Sequence, residues 1–177
     1  KKSLRRIELR NTDNITSMQN GFSNSPSLRE VILGDLTNCS TFRLAFNTCT
    51  SLEKVTLGKH TRVVDFAYMF QFCYALKEIV GELNLLVARG AASMFEGCSN
   101  LEKVSFAKDS INIDISLLSC QSLSRVSLIS LFNGLAENGE RTLNLSKYAF
   151  DNNFPEKKEQ EEKTAELQQK GWKLVLG

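Results

Sequence analysis

Five cysteines and a single histidine are the side chains with the clearest potential for chemistry. Four of the cysteines recur at intervals of 22 to 25 residues, and Cys39 stands outside that series. A zinc site needs ligands at short spacing, as in Cys-x-x-Cys, and the chain contains no such pair. The spacing favours free thiols packed as small apolar side chains, although it leaves disulfides between neighbouring repeats open. The recurring cysteines are Cys49, Cys73, Cys98 and Cys120.

His60 is the only histidine, and it lies in the turn Gly58-Lys-His-Thr61. A catalytic histidine needs a nucleophile or an acid beside it, and the neighbouring residues offer neither. We therefore interpret His60 as a solvated loop residue. The chain also contains no glycine-rich motif of the kind that cradles phosphate. The sequence predicts that the protein is not an enzyme and needs no metal ion or cofactor.

The cysteines belong to a repeat of about 24 residues. If a phenylalanine or leucine is taken as position zero, cysteine follows at position three and leucine at six. Valine or isoleucine follows at nine, and leucine or phenylalanine at eleven. A fixed period of this length is the signature of a solenoid. The zero positions are Phe22, Phe46, Phe70, Phe95 and Leu117.

Each repeat predicts a short helical turn and a short strand. Apolar residues spaced three and four apart lead to position zero, which favours a helical turn. Positions nine and eleven alternate as a strand requires, so the repeats predict six parallel strands, the last within Leu123–Leu128. Gly81 at position eleven of the third repeat predicts a weak or bent strand. Because Leu4 begins a partial repeat, we expect the chain to be part of a longer protein.

Residues 129–177 predict a C-terminal cap after the partial repeat and five full repeats of residues 1–128. Ile129, Phe132 and Leu135 have helical spacing, residues 136–141 predict a turn, and Thr142–Leu145 alternates like a strand. A charged helix opens at Pro155 and stops at Gly171, before a last strand. A solenoid needs such a cap to cover its final coil.

Two rows of side chains should face outward from the strands. Charges of alternating sign at position eight predict opposite-charge pairs across the sheet. The alternative is that these charges form a pattern that binds a partner. Position ten predicts a contact strip for a partner at Ile32, Thr56, Val80 and Ser105, flanked by Lys54 and Lys103. The position-eight row is Arg6, Glu30, Lys54, Glu78, Lys103 and Arg125, and position ten also includes Glu8 and Ser127.

Composition excludes several classes of protein. Hydrophobic residues make up 42% of the 177 residues, which is enough for a core, and the net charge of +2 provides no field for nucleic acid. No run of 18 apolar residues occurs, so we expect no membrane insertion. The oligomeric state is left open.

The repeat resembles the BspA-like leucine-rich repeat of bacterial surface proteins. The matching segments are Ala45-Phe46-Asn-Thr-Cys49-Thr-Ser-Leu52 and Met94-Phe95-Glu-Gly-Cys98-Ser-Asn-Leu101. Lys170-Gly-Trp172 is similar to the segment that follows such repeats. The resemblance implies an α/β fold: a right-handed leucine-rich-repeat solenoid, or horseshoe, with a parallel sheet on one face and a C-terminal cap.

The same resemblance implies a function. It predicts an adhesion or protein-interaction module of a bacterial cell-surface or secreted protein, which binds a host or bacterial protein or glycan through the repeat surface. The alternative is a structural spacer, or a component like those of phage tails, with no ligand of its own.

Overall fold

The computed structural model describes residues 4–137 and 140–177, which form eight strands and three helices. The strands are β1 (Arg6–Leu9), β2 (Glu30–Leu33), β3 (Lys54–Thr56), β4 (Glu78–Leu83), β5 (Lys103–Phe106), β6 (Ile115–Leu117), β7 (Arg141–Leu145) and β8 (Trp172–Leu176). The helices are α1 (Arg125–Gly134), α2 (Lys147–Asn153) and α3 (Lys157–Gln169).

The strands form two parallel sheets. In the first sheet, β1 to β5 lie in chain order, and each strand pairs with the next. In the second, β7 lies between β6 and β8. Parallel neighbours need a crossover of a dozen or more residues, and here one full repeat supplies it. This succession confirms the predicted solenoid with a parallel sheet.

Position nine sets the register of the first sheet. Val31 lies opposite Ile7 on one side and Val55 on the other, and Val55 lies opposite Ile79. The side chains of Val31, Val55 and Ile79 are buried. The period in the sequence therefore becomes a vertical alignment in the structure, with one face of the sheet on the core.

The position-zero phenylalanines stack in a column through the core. Ring centroids lie 5.4 Å apart between Phe22 and Phe46, 5.3 Å between Phe46 and Phe70, and 6.0 Å between Phe70 and Phe95. The planes of each pair are within 14° of parallel. Stacked aromatic pairs contribute about 0.5–1.5 kcal/mol beyond their buried area. One coil cannot form this column alone, which explains why the repeat recurs.

The recurring cysteines form a second column beside the phenylalanines. All five cysteines are free and buried, which confirms the predicted packing of the thiols. Burial raises the pKa of each thiol, so the reactive thiolate is disfavoured. Three thiols donate a hydrogen bond to the carbonyl of the phenylalanine one coil earlier: Cys49 to Phe22 at 3.0 Å, and Cys73 to Phe46 and Cys98 to Phe70 at 3.1 Å.

The prediction of a helical turn in each repeat is wrong. The residues two before and two after position zero have positive φ angles of 50° to 80°, which an α-helix excludes. Backbone amides donate to carbonyls of the next coil instead, as Phe46 does to Met69 at 2.9 Å. The apolar spacing therefore reflects side chains that face the core from turns. The residues with positive φ are Asn20, Asn24, Leu44, Thr48, Tyr68, Phe72, Ser93 and Gly97.

The prediction of a sixth strand within Leu123–Leu128 is also wrong. Helix α1 begins at Arg125 and packs on β5, so the first sheet ends after five strands. The side chain of Ser124 accepts a hydrogen bond from the amide of Ser127, which is the usual N-cap of a helix. The fifth repeat therefore forms a helix where the repeat pattern predicts a strand.

The structure contains the two strands and the charged helix that were predicted for the C-terminal region, and it adds one short helix. β7 and β8 contain the predicted strands, and Gly171 ends α3 with a φ of 83°. Helix α3 begins two residues after Pro155, and α2 was not predicted. The turn predicted over 136–141 lies partly outside the described residues, and the division into 1–128 and 129–177 stays a prediction. Over the described ranges, no helix combines the length and apolar character needed to cross a bilayer.

Candidate protein interface

The position-eight charges lie beside one another in a column on the face of the first sheet that points away from the core. We call this face the open face. Arg6 lies 2.7 Å from Glu30, and Lys54 lies 2.8 Å from Glu78. The hydrogen bond between Lys54 and Glu78 raises the pKa of the lysine and lowers the pKa of the glutamate. The predicted opposite-charge pairing is therefore confirmed for these two pairs. Lys103 lies opposite Glu78 in the register and is exposed.

Arg125 does not extend this column, because it lies on α1 and not on a strand. Its guanidinium donates to the carboxylate of Glu159 on α3 and lies over the ring of Phe154, 4.6 Å from the centroid. The prediction that Arg125 belongs to the charged row of the sheet is wrong. The side chain joins two parts of the cap.

The position-ten side chains lie beside the charged column. Ile32 is opposite Thr56, and Thr56 is opposite Val80. Ile32, Thr56 and Ser105 are half-buried, whereas 36% of Val80 is exposed. Four of the predicted strip residues therefore lie on the open face, and their role stays a prediction. Ser127, also predicted in this row, is buried in α1 instead.

A bulge at Gly81 changes the open face at β4. Val80 pairs with Thr56 of β3, but Glu82 and not Val80 pairs with Ser105 of β5. Gly81 adopts a φ of 97°, and a Cβ there would lie 2.2 Å from the carbonyl oxygen of Leu57. The predicted bend at Gly81 is confirmed. Its consequence is that β4 presents a second exposed side chain, Glu82, in addition to Val80.

Helix α1 forms a wall at the end of the open face. Between this helix and the strands lies a groove of about 580 Å³. Phe106 is buried at its base, while 78% of Val126 and 41% of Ile129 are exposed. These two apolar side chains lie one helical turn apart. The groove is lined by Glu82, Phe106, Lys108, Val126, Ile129, Ser130 and Asn133.

Serine hydroxyls hold α1 in this position. The amide of Val104 donates to the Ser127 hydroxyl at 3.0 Å, and the amide of Phe106 donates to the Ser130 hydroxyl at 2.9 Å. These amides belong to the outer edge of β5, where no strand follows. The helix therefore satisfies the edge and directs the intervening Ile129 outward. The helical spacing predicted from Ile129 is confirmed by α1. Sequence reasoning missed the start of the helix at Arg125 and its place beside β5, although Ser124 is a recognisable N-cap signal.

A family model described as BspA type leucine rich repeat region, present in six copies, matches residues 1–88 and 43–160. The chain belongs to this family. Neither a curated protein nor a solved structure matches it. BspA-type repeats and other leucine-rich repeats generally form non-enzymatic scaffolds that mediate protein binding. The contact strip and the groove agree with such a role.

His60 is a structural residue of this BspA-type solenoid, and the prediction that it is solvated is wrong. Only 2% of it is exposed, because Phe42 and Phe66 pack around the ring with centroids 5.3 and 6.2 Å away. Its Nδ1 lies 2.8 Å from the Gly58 carbonyl, and its Nε2 accepts from the Asn84 amide at 3.2 Å. The proton is therefore on Nδ1, and burial lowers the pKa of the imidazole.

The BspA-type scaffold brings no other chemical cluster together in the part of the chain that the structure describes. Within that part, no three or more His, Cys, Asp or Glu residues are placed to hold a metal ion. Both ring nitrogens of His60 are engaged with backbone groups of two coils. The strip and the groove are therefore kept as the candidate surfaces for contact with another molecule.

Proposed function

We propose that this chain is a protein-interaction and adhesion module of a bacterial cell-surface or secreted protein. It binds a partner protein through the open face of the five-stranded sheet. The observation that carries the proposal is the exposure of Val80 beside Ile32 and Thr56 on a face where nearby charges are paired internally. The BspA-type family, which is typically found on the bacterial surface or secreted, supports the proposed location.

The charges on this face affect the kind of partner that fits. Arg6 with Glu30 and Lys54 with Glu78 leave little net field, so apolar contact supplies most of the affinity. Four strand spacings of about 4.8 Å make the face roughly 19 Å wide. Together with α1, a surface of this breadth suits a folded protein or a peptide segment, since a standard interface buries about 800 Å² per partner.

The test is a binding screen of the chain against immobilised extracellular-matrix proteins and whole bacterial cells, with mucin-type glycans as the alternative ligand. The variant Ile32→Asp with Val80→Asp places two charges in the strip. A matched control, Leu86→Asp with Val87→Asp, changes two exposed apolar residues outside the sheet.

We expect saturable binding to a protein that the strip variant weakens by about tenfold or more, since apolar anchors dominate interfaces. The control should bind within about twofold of the unmodified chain, and circular dichroism should show the same fold for all three. Equal loss in both variants, or binding to glycan alone, contradicts the proposal. A complete absence of binding favours a structural spacer.

A further inference from the structure

Glu82 is the exposed carboxylate that the bulge in β4 adds to the open face. The other glutamates on this face lie in ion pairs: Glu8 and Glu30 with Arg6, and Glu78 with Lys54. Among the residues that the structure describes, no cationic side chain lies within 4.0 Å of Glu82. Glu82 is therefore the one glutamate of this face, among the described residues, without an ion pair, and it lies beside the groove.

The bulge determines where this carboxylate lies. In the first and second full repeats the residue at position twelve is a glycine, Gly34 or Gly58, beyond the end of the strand. In the third repeat the residue at position twelve is Glu82. Two extra residues in β4, relative to β5, bring it into register with Ser105, which is a position-ten residue. Bulges commonly re-aim a side chain at a functional surface.

The surroundings of Glu82 are apolar on the side of α1. Val126 and Ile129 form the wall of the groove, and Phe106 forms its base. Lys108 also lines the groove, with its ammonium 3.9 Å from the carboxylate of Asp109. The groove therefore combines an open apolar pocket with an unpaired negative charge on the β4 side.

We propose that the groove between β4, β5 and α1 receives a peptide segment of a partner protein in which a large apolar residue neighbours a lysine or arginine. The apolar side chain packs against Val126 and Ile129 over Phe106, and the cation pairs with Glu82. This inference rests on the proposed function and specifies the partner's chemistry. Charge complementarity carries it, because the cation supplies the pairing that the chain itself does not.

The experiment selects short random peptides displayed on phage against the whole 177-residue chain. Affinities of the selected peptides are then measured by fluorescence anisotropy. Glu82→Lys reverses the charge in the groove. Glu162→Lys makes the same change on α3, at an exposed residue that does not line the groove. Val126→Asp with Ile129→Asp removes the apolar wall.

We expect the unmodified chain to enrich peptides with a large apolar residue beside lysine or arginine. Glu82→Lys should weaken these peptides by about tenfold and should select acidic residues in place of the basic ones. Glu162→Lys should leave their affinity within about twofold, and the α1 variant should abolish binding.

The outcomes separate this inference from the proposed function. If enriched peptides lose binding in the Ile32→Asp and Val80→Asp variant but lack a basic residue and bind Glu82→Lys equally well, the inference is wrong while the strip retains its role. If no peptide is enriched, the inference is also overturned, and the protein screen alone decides the proposed function.

Discussion

The backbone amide of Val104 donates a hydrogen bond to the Ser127 hydroxyl across 3.0 Å, and Ser127 in turn donates to the carbonyl of Glu102 at 3.0 Å. A side chain of α1 thus replaces the strand that would otherwise continue the sheet. Exposed strand edges are templates for association with other chains, and this contact closes one of them. The same contact positions the apolar wall of the groove.

Removal of these hydroxyls should weaken the attachment of α1. Ser127→Ala with Ser130→Ala leaves the amides of Val104 and Phe106 without partners. We expect the free energy of unfolding to fall by about 2–4 kcal/mol, measured by urea denaturation. Ser122→Ala, which removes an exposed hydroxyl bonded to Ser99, serves as the control and should cost about 0.5 kcal/mol or less. Equal losses in both variants would contradict this account of the edge.

Gly81→Ala should be costly, because the bulge needs a positive φ and a close approach. The added Cβ would lie 2.2 Å from the Leu57 carbonyl oxygen, whereas a Cβ at Gly90 meets its nearest neighbour, Asp65, at 3.8 Å. We expect Gly81→Ala to lower the free energy of unfolding by about 2–4 kcal/mol and Gly90→Ala to have an effect below about 1 kcal/mol. If Gly81→Ala leaves the free energy of unfolding nearly unchanged, the bulge can re-form with another register.

The buried imidazole of His60 should make stability depend on pH. Burial lowers the pKa of folded His60, so the unfolded chain binds the proton more readily. Stability from this residue is present above the ordinary histidine pKa of about 6.5 and is lost as the pH falls from there towards the folded pKa. We expect the urea midpoint to fall between pH 7 and 5, with a flatter dependence in His60→Gln. The same slope in both proteins would assign the effect to other groups.

Thr48→Asn should stabilise the second repeat. Thr48 has a φ of 58°, a region that is unfavourable for a β-branched residue, and Asn24 occupies the equivalent position in the first repeat with a φ of 55°. We expect an increase of about 0.5–1 kcal/mol in the free energy of unfolding. Thr50→Asn, at a position without positive φ, is the control and should not stabilise the protein.

The thiols should react as a buried set. Because burial raises the pKa of all five cysteines, a colorimetric thiol reagent should modify them slowly in the native protein and rapidly in denaturant. In denaturant, five thiols per chain should react with the reagent without prior reduction. Three equivalents or one would reveal disulfides between neighbouring coils.

Much of the fold could be predicted from the repeat. The period placed Val31 beside Val55 and Phe46 beside Phe70, because a constant coil length brings equivalent positions together. It also placed Ile32, Thr56 and Val80 side by side on the open face, so the strip was accessible to sequence reasoning. The helical turns were predicted wrongly because turns with positive φ produce the same apolar spacing.

The burial of His60 could not be predicted, since its Gly-Lys-His-Thr turn is polar by itself. The ring is buried by Phe42 and Phe66 from two coils, and its hydrogen bond from Asn84 comes from the next repeat. Local sequence does not record such contacts. The same limit applies to Glu82, whose position depends on how β4 is offset against β5.

The amino-acid sequence by itself determined the solenoid, the parallel register of β1 to β4 and the buried phenylalanine and cysteine columns, because each of these depends only on residue type and a nearly constant period. The tertiary structure alone decided that the helix predicted from Ile129 begins at Arg125 and that it walls the groove. Residues such as Val126 and Leu128 suit a strand or a helix equally well locally. The contacts of Ser127 and Ser130 with the unpaired edge of β5 favour the helix.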